Sequence, residues 1–114
     1  MAGKKNKIFF LHILESIERI EKSMRGISQE KFLETEDKQD VVIRRLAIIG
    51  EAVKNLSKSF KDKHPEVEWH KIAGMRNLLV HEYFGVDLKL TYKIVKKRIP
   101  ELKQNILKFI KEIG

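Results

Sequence analysis

The chain has 114 residues, of which 42% are hydrophobic and 35% charged, and its 24 Lys and Arg outnumber its 16 Asp and Glu to give a net charge of +8. This length favours one domain spanning residues 1–114, and a chain without cysteine has no disulfide bond and no thiolate metal site. No apolar run reaches the roughly 18 residues that span a membrane, and the basic N-terminus lacks a small-residue cleavage site, so we expect a soluble cytoplasmic protein.

The excess of positive charge is concentrated near the C-terminus. Residues 88–114 contain eight Lys and Arg residues but only Glu101 and Glu112 as acidic residues. A positive net charge favours polyanionic partners. A solvated helix face and a surface that contacts RNA both account for this pattern, and the charge alone does not separate them.

The first predicted element is a helix near the N-terminus. Apolar residues recur at helical spacing from Phe10 to Met24, and Gly26 is placed to end this helix. Ser28 can cap a short helical turn that contains Phe32.

A long amphipathic helix is predicted in the middle of the chain. Its apolar residues recur at alternating intervals of four and three from Val42 to Phe60, and the helix is expected to end before Pro65. Gly50 lies inside it, where glycine costs about 1 kcal/mol relative to alanine. We therefore expect another backbone to approach closely at Gly50.

Two further helices complete the prediction. The third begins between Glu66 and Trp69 and runs to about Glu82, and Asp87 can cap the last one.

The apolar spacing of the last helix continues from Tyr92 to Ile113 straight through Pro100. This spacing predicts one helix kinked at Pro100, which cannot donate a hydrogen bond to the carbonyl of Lys96. Four to five helices with short connections and no strand signals predict an all-α, compact bundle.

The segment from Met75 to Asp87 contains several polar residues close together. Helical geometry predicts on which face of the helix each of them lies. Arg76 and His81 lie roughly 140° apart around an ideal helix, so a straight helix does not point both at one atom. A bent Arg side chain, an unwound helix end before Gly85, or two copies of the chain that combine their residues would each resolve this. The sequence leaves all three open.

These residue types suit cleavage of a phosphodiester without a metal ion. A histidine titrates near neutral pH and can exchange protons with an attacking hydroxyl or a leaving oxygen. The guanidinium of Arg76 can stabilise a phosphate as its charge grows, and RNA supplies its own nucleophile in the 2′-hydroxyl. The alternative is an ordinary helix end, with Arg76 in an ion pair, His81 as a C-terminal cation and Tyr83 as a half-buried anchor.

Three segments carry a resemblance to a known family. "RNLLVHEY" fits the Arg, four residues, His, one residue, Tyr signature of HEPN-domain ribonucleases, with the usual polar residue directly after the Arg. "RRLAIIGEAVKNL" and "HPEVEWHKIAGMRNLLVHEYFGVD" resemble the HepT-like toxins of two-gene bacterial and archaeal toxin–antitoxin systems. The similarity extends from about Ile8 to the C-terminus, and the signature itself shows no departure.

The resemblance implies an HEPN-like helical bundle that forms a homodimer, with the signatures of both chains facing one cleft. It implies the toxin of a type VII-like toxin–antitoxin system, a metal-independent RNA endonuclease with Arg76 and His81 as the catalytic pair and Asn77 assisting. It also implies a partner, a minimal nucleotidyltransferase antitoxin that attaches AMP to Tyr83. An AMP group there would fill the cleft and place negative charge where an RNA phosphate must bind.

The remaining histidines are expected to be structural. His12 lies near the first apolar stripe and is predicted to be partly buried, whereas His64 and His70 are predicted to lie on the surface. No pair of them has a convincing metal-ligand spacing with carboxylates, so we expect no metal and no cofactor.

Three other residues complete the set of candidates. Trp69 could stack on a base, but its position at a helix start favours a core anchor. Tyr92 begins the last apolar stripe and is predicted to be in the core. Glu51, next to Gly50, could contact the signature of the same chain or of a partner chain, or could be solvated.

A second function from a different class also fits the sequence. A non-catalytic helical module could bind a nucleotidyltransferase-fold partner, and RNA, without cleaving anything. The ribonuclease hypothesis predicts RNA cleavage that depends on His81, and the module hypothesis predicts complex formation without cleavage.

Overall fold

The computed structural model describes the backbone of residues 2–80 and 87–113, and the side-chain surroundings of residues 5–75 and 87–113. Within these ranges the structure contains helices and no strand, so the all-α prediction is confirmed. None of the described helices is long and apolar enough to cross a membrane. The elements are α1 (Ala2–Met24), α2 (Gln29–Glu34), α3 (Glu36–Asn55), α4 (Lys58–Lys63), α5 (Trp69–Val80), α6 (Leu88–Lys93), a π-helical turn (Ile94–Arg98) and α7 (Ile99–Ile113).

The predicted ends of several helices are confirmed by their hydrogen bonds. Gly26 follows α1 with a φ of 71°, a left-handed conformation that glycine adopts without steric cost. Ser28 caps α2, because its Oγ accepts a hydrogen bond from the N–H of Lys31 at 3.1 Å. Asp87 caps α6 in the same way, accepting from the N–H of Leu90 at 3.0 Å.

The core lies where α1 packs against α3 and α7, and where α3 packs against α5. Each of these helices contributes its predicted apolar stripe, which is the arrangement that removes most apolar surface from water. Gly50 is buried in α3, on the helix that packs against α5, and a close backbone approach there stays a prediction. Side chains with no exposed surface include Phe10, Ile13, Ile17, Phe32, Val42, Leu46, Ile49, Val53, Ile106 and Phe109.

The prediction of one unbroken helix from Val42 to Phe60 is wrong. Helix α3 ends at Asn55, the backbone is extended at Leu56, and α4 begins at Lys58. Ser57 caps α4, since its Oγ accepts from the N–H of Phe60 at 3.3 Å. A helix through this point would forgo that cap, so local side-chain chemistry outweighs the apolar periodicity.

The break at Ser57 is held from across the fold by the buried side chain of Asn6. The Asn6 Oδ1 accepts a hydrogen bond from the N–H of Ser57 at 3.0 Å, and its Nδ2 donates to the Ser57 Oγ at 3.1 Å. The two bonds join the start of α1 to the connection between α3 and α4.

The last helix runs from Leu88 through Pro100 to Ile113, as the apolar spacing predicted. The irregularity expected at Pro100 takes the form of the π turn, in which the N–H of Ile99 donates to the carbonyl of Ile94. In an α-helix the proline ring would clash with the carbonyl of Lys96, and the wider turn directly before it gives that carbonyl room.

The π turn also corrects the prediction for Tyr92. A π turn contains one more residue than an α turn, so the segment before it is rotated relative to α7. Thr91 is therefore fully buried, whereas Tyr92 lies at the edge of the core. The Tyr92 hydroxyl donates to the carbonyl of Ile27 at 2.9 Å, which ties the helix to the end of α1.

Two expectations about histidines also change. His12 is exposed, not partly buried, because the apolar stripe of α1 is narrow and His12 lies beside it. His64 is more enclosed than predicted, because the centre of its ring lies 4.5 Å from that of Phe60 and 4.6 Å from that of Phe109. The exposed position of His70 is confirmed.

Replacing Asn6 tests the link that breaks the middle helix. We expect Asn6→Ala to lower the free energy of unfolding by about 1–2 kcal/mol, because the N–H of Ser57 loses its buried partner. Urea unfolding followed by circular dichroism measures this change. The control is Asn55→Ala, which removes one exposed bond to the Glu51 carbonyl and should change stability by less than about 0.5 kcal/mol. Equal stabilities for the two variants would contradict the assignment.

Candidate active site

The helix α5 carries the first half of the polar signature. Arg76 and Asn77 lie in its second half, and its backbone is helical through Val80. The side chains of Arg76 and Asn77, and the whole of His81 and Tyr83, lie outside the residues whose surroundings are described. The predicted meeting of Arg76 and His81 therefore stays a prediction, and the structure defines what surrounds α5.

Two contacts on the same residue hold the start of α5. Trp69 is 7% exposed, so its predicted role as a core anchor is confirmed. Its indole Nε1 donates to the carbonyl of His64 at 2.8 Å, which satisfies the one polar atom of the buried ring. The helix start is thereby fixed to the turn that follows α4.

An ion-pair bridge joins the start of α5 to the end of the π turn. Glu68 accepts from the Lys71 Nζ at 2.7 Å and from the Arg98 Nη1 at 3.1 Å. The hydrogen bond and charge of Lys71, with Arg98 beside it, hold the pKa of Glu68 below its usual value. The bridge is exposed, so it orients the two helices more than it stabilises the fold.

A cleft of about 500 Å³ lies between α3 and α5, and we call it the α3–α5 cleft. Glu51 and Lys54 contribute its α3 side, Lys61 lies at its end, and Trp69, His70, Ala73 and Gly74 contribute its α5 side. Asn77 follows Ala73 by one helical turn. The structure thus places Glu51 beside the helix that carries the signature, and its contact with the signature stays a prediction.

A second depression, which we call the α5–α7 groove, lies on the other side of α5. It has a volume of about 420 Å³ and a mostly apolar surface. Met75 and Ile72 line it from α5, and Leu90, Ile94 and Leu102 line it from the last helix. The sequence did not predict this groove. Apolar periodicity indicates which face of each helix is buried, but it does not show where two packed helices leave a gap between them.

The described residues contain no group of three or more His, Asp or Glu side chains placed to hold a metal ion. The carboxylate nearest the start of α5, that of Glu68, is instead paired with Lys71 and Arg98. Within the part of α5 whose side chains are described, His70 and Lys71 are the polar residues that line the α3–α5 cleft or the α5–α7 groove.

Comparison with known proteins decides the family. The family model described as Ribonuclease HepT-like matches residues 13–109, which is most of the chain. The chain belongs to the HepT-like ribonuclease family. The matched region includes α5 with Arg76 and Asn77, and it extends across the segment with His81 and Tyr83 to Phe109.

Relatives of this HepT-like chain occur in archaea and bacteria. The chain is 47% identical over 100 residues to the "Probable ribonuclease HepT" of Thermococcus cleftensis, covering 88% of this chain and 91% of that protein. It is 43% identical over 101 residues to a "Putative RNase" of Caldanaerobacter subterraneus subsp. tengcongensis, covering 89% and 90%.

A longer relative contains a similar stretch of sequence. The "Gamma-glutamylcyclotransferase and putative RNase" of Methanocaldococcus jannaschii is 49% identical over 107 residues, covering 94% of this chain. The chain spans about half of that relative, at 48% of its length. No solved structure matches this HepT-like chain significantly.

Gly74 offers a test of the open space on both sides of α5, because it lines the cleft and the groove. A Cβ atom built on Gly74 meets nothing within 4 Å. We expect Gly74→Ala to raise the free energy of unfolding by about 0.5–1 kcal/mol, since alanine favours the helix. A thermal melt measures this.

Gly26→Ala is the matched control, because its positive φ makes any side chain unfavourable. We expect that variant to melt at a lower temperature than the wild type. A Gly74→Ala protein that melts at a lower temperature than the wild type would contradict open space at Gly74.

Proposed function

We propose that this HepT-like protein is a metal-independent RNA endonuclease, with Arg76 and His81 as its catalytic pair and Asn77 assisting. The observation that carries the proposal is the Arg-x4-His-x-Tyr signature in a chain that the HepT-like ribonuclease model matches over residues 13–109. The names of the relatives, which include a probable ribonuclease, support the same activity.

The proposed reaction is a transfer within the RNA strand. The 2′-hydroxyl oxygen attacks the adjacent phosphorus as a base removes its proton, and the bond from phosphorus to the 5′-oxygen breaks. That oxygen takes a proton from an acid and leaves as a 5′-hydroxyl, and the other end becomes a 2′,3′-cyclic phosphate. Imidazole suits both proton transfers near neutral pH, and the guanidinium of Arg76 stabilises the phosphate oxygens as their charge grows.

We infer that two copies of the chain complete the site. Arg76 and His81 do not converge on one straight helix, and a symmetric pair of chains would bring both copies of each residue to a shared cleft. We also propose Glu51 as a residue that supports the catalytic pair, because it lines the α3–α5 cleft beside α5. Two copies of His81 at one cleft would also supply both the base and the acid.

We further propose that the protein is the toxin of a type VII-like toxin–antitoxin pair and acts in the cytoplasm. Its antitoxin would be a minimal nucleotidyltransferase that transfers AMP from ATP to the hydroxyl of Tyr83, releasing pyrophosphate. Tyr83 follows His81 by two residues, so the added phosphate and adenosine would occupy the space of the RNA phosphate.

Cleavage of RNA by purified variants tests the catalytic pair. In excess chelator, we expect His81→Ala and Arg76→Ala each to cleave a labelled RNA at least about a hundredfold more slowly than the wild type. His12→Ala and Arg19→Ala are controls that remove the same groups from exposed positions on α1. Unchanged cleavage by His81→Ala would refute the proposed mechanism, and an inactive wild type that still binds a nucleotidyltransferase would favour the non-catalytic module.

Mass spectrometry tests the modification site. Incubation with the cognate nucleotidyltransferase and ATP should add one AMP mass to the wild type and none to Tyr83→Phe. Tyr92→Phe is the matched control, since it removes a hydroxyl that is occupied by the Ile27 carbonyl and should still accept AMP. Addition of the same mass to Tyr83→Phe would move the modification to another residue.

A further inference from the structure

Three lysines form an exposed row along the start of the last helix. Lys89, Lys93 and Lys97 follow one another at intervals of four residues, and we call them the lysine row. Within the described ranges no carboxylate pairs with any of the three. Three other cations of the helix are engaged: Arg98 with Glu68, Lys103 with Glu21 at 2.8 Å, and Lys96 with the Tyr92 ring at 5.4 Å.

The π turn improves the alignment of this row. Four residues of an α-helix rotate about 40° past a full turn, so lysines at this spacing drift around the axis. A π turn has more residues per turn and therefore less rotation per residue. Since Lys97 lies inside the π turn, it returns toward the line through Lys89 and Lys93. Each α-helical step of four residues is about 6 Å long, which is close to the spacing of phosphates along an extended strand.

The lysine row lies on the helix face next to the one that lines the α5–α7 groove, and none of its three lysines lines the groove itself. Leu90, Ile94 and Arg98 line this groove, and each directly follows one lysine of the row. One end of the row follows the signature segment in the chain, and the Arg98–Glu68 bridge places the other end beside the start of α5. The row and groove therefore run alongside the helix that carries Arg76.

The charges of the groove separate two kinds of ligand group. Glu66, Glu68 and Glu101 contribute carboxylates to its lining, and Lys71 and Arg98 contribute cations. Both cations already pair with Glu68, so three carboxylates and no unengaged Lys or Arg of this lining face a ligand, which disfavours a phosphate inside the groove. A neutral base can still lie on the apolar surface of Ile72 and Leu90, and its amino groups can donate to the carboxylate of Glu101. Phosphates are favoured only on the outer edge, where the lysines are.

We infer that the lysine row and the α5–α7 groove together bind a single-stranded segment of RNA, with phosphates on the row and bases in the groove. This inference rests on the proposed ribonuclease function and specifies the part of the protein that holds the substrate. A duplex would present phosphates to the row but could not place bases in the groove, so unpaired RNA is the favoured ligand.

Salt dependence of RNA binding tests the row. The probe is a labelled single strand of 2′-O-methyl RNA, which keeps the bases and phosphates but lacks the attacking hydroxyl, so the wild-type protein can be used. The logarithm of the binding constant should fall with the logarithm of salt concentration, and Lys93→Gln with Lys97→Gln should reduce that slope by about 0.7 per lysine. Lys58→Gln with Lys63→Gln removes the same charge from exposed positions on α4 and should leave the slope within error of the wild type.

A pair of leucine variants tests the groove. Leu90 is 42% exposed inside the groove, and Leu107 is 45% exposed elsewhere on the last helix. Leu90→Ala should weaken binding about three- to tenfold with an unchanged salt slope, because it removes apolar contact and no charge. Leu107→Ala should bind as the wild type does.

The outcomes separate this inference from the ribonuclease proposal. A slope that does not change in the lysine variant overturns the inference, as does equal binding by Leu90→Ala and Leu107→Ala. Failure of the wild type to bind the strand at low salt also overturns the inference. An acidic protein would then be the favoured partner of the lysine row. Cleavage of unmodified RNA by the wild type is measured separately, so binding at the row without cleavage would refute the ribonuclease proposal and retain the RNA-binding surface.

Discussion

Aromatic packing around Phe109 is the interaction on which the position of the signature helix depends. Its ring lies 5.0 Å from that of Phe60, 4.6 Å from that of His64 and 5.9 Å from that of Trp69. The ring of Phe10 adds α1 to the same cluster at 5.8 Å. Tilted and edge-on contacts of this kind contribute about 0.5–1.5 kcal/mol each beyond the burial of apolar surface. Because Trp69 is the first residue of α5, this cluster fixes the point at which that helix starts.

Local chemistry was sufficient to predict most of the fold. The apolar stripes of α1 and the last helix, and the caps at Ser28 and Asp87, depend on residues within one or two turns of each other, so the sequence alone identified them. The missed break at Ser57 combines the local cap that Ser57 gives α4 with the side chain of Asn6, whose bonds to Ser57 span 51 positions of the chain. A contact of that range leaves no periodic trace in the sequence.

The candidate site could be predicted in kind but not in its surroundings. The residue types of Arg76, Asn77 and His81 suit phosphodiester chemistry and belong to one short segment, but their helix faces alone do not bring Arg76 and His81 together. The neighbours of the described start of α5 come from elsewhere in the chain: Glu51 from α3, and Arg98 from a turn that lies 30 positions after its partner Glu68. Periodicity defines the faces of a helix, but the fold decides what each face meets.

The π turn before Pro100 has a consequence for how the last helix divides its surface. The π turn adds one residue to the helix without interrupting it by a loop. The part of the helix before the turn is therefore rotated about the helix axis relative to the part after it. The half after it presents Ile106 and Phe109 to the core, while the half before it buries Thr91 and leaves Lys89 and Lys93 outside. In a homologous helix that lacks one residue at this turn, the two parts would not be rotated relative to each other. If its second part still presented its apolar residues to the core, the lysines of its first part would face a different direction.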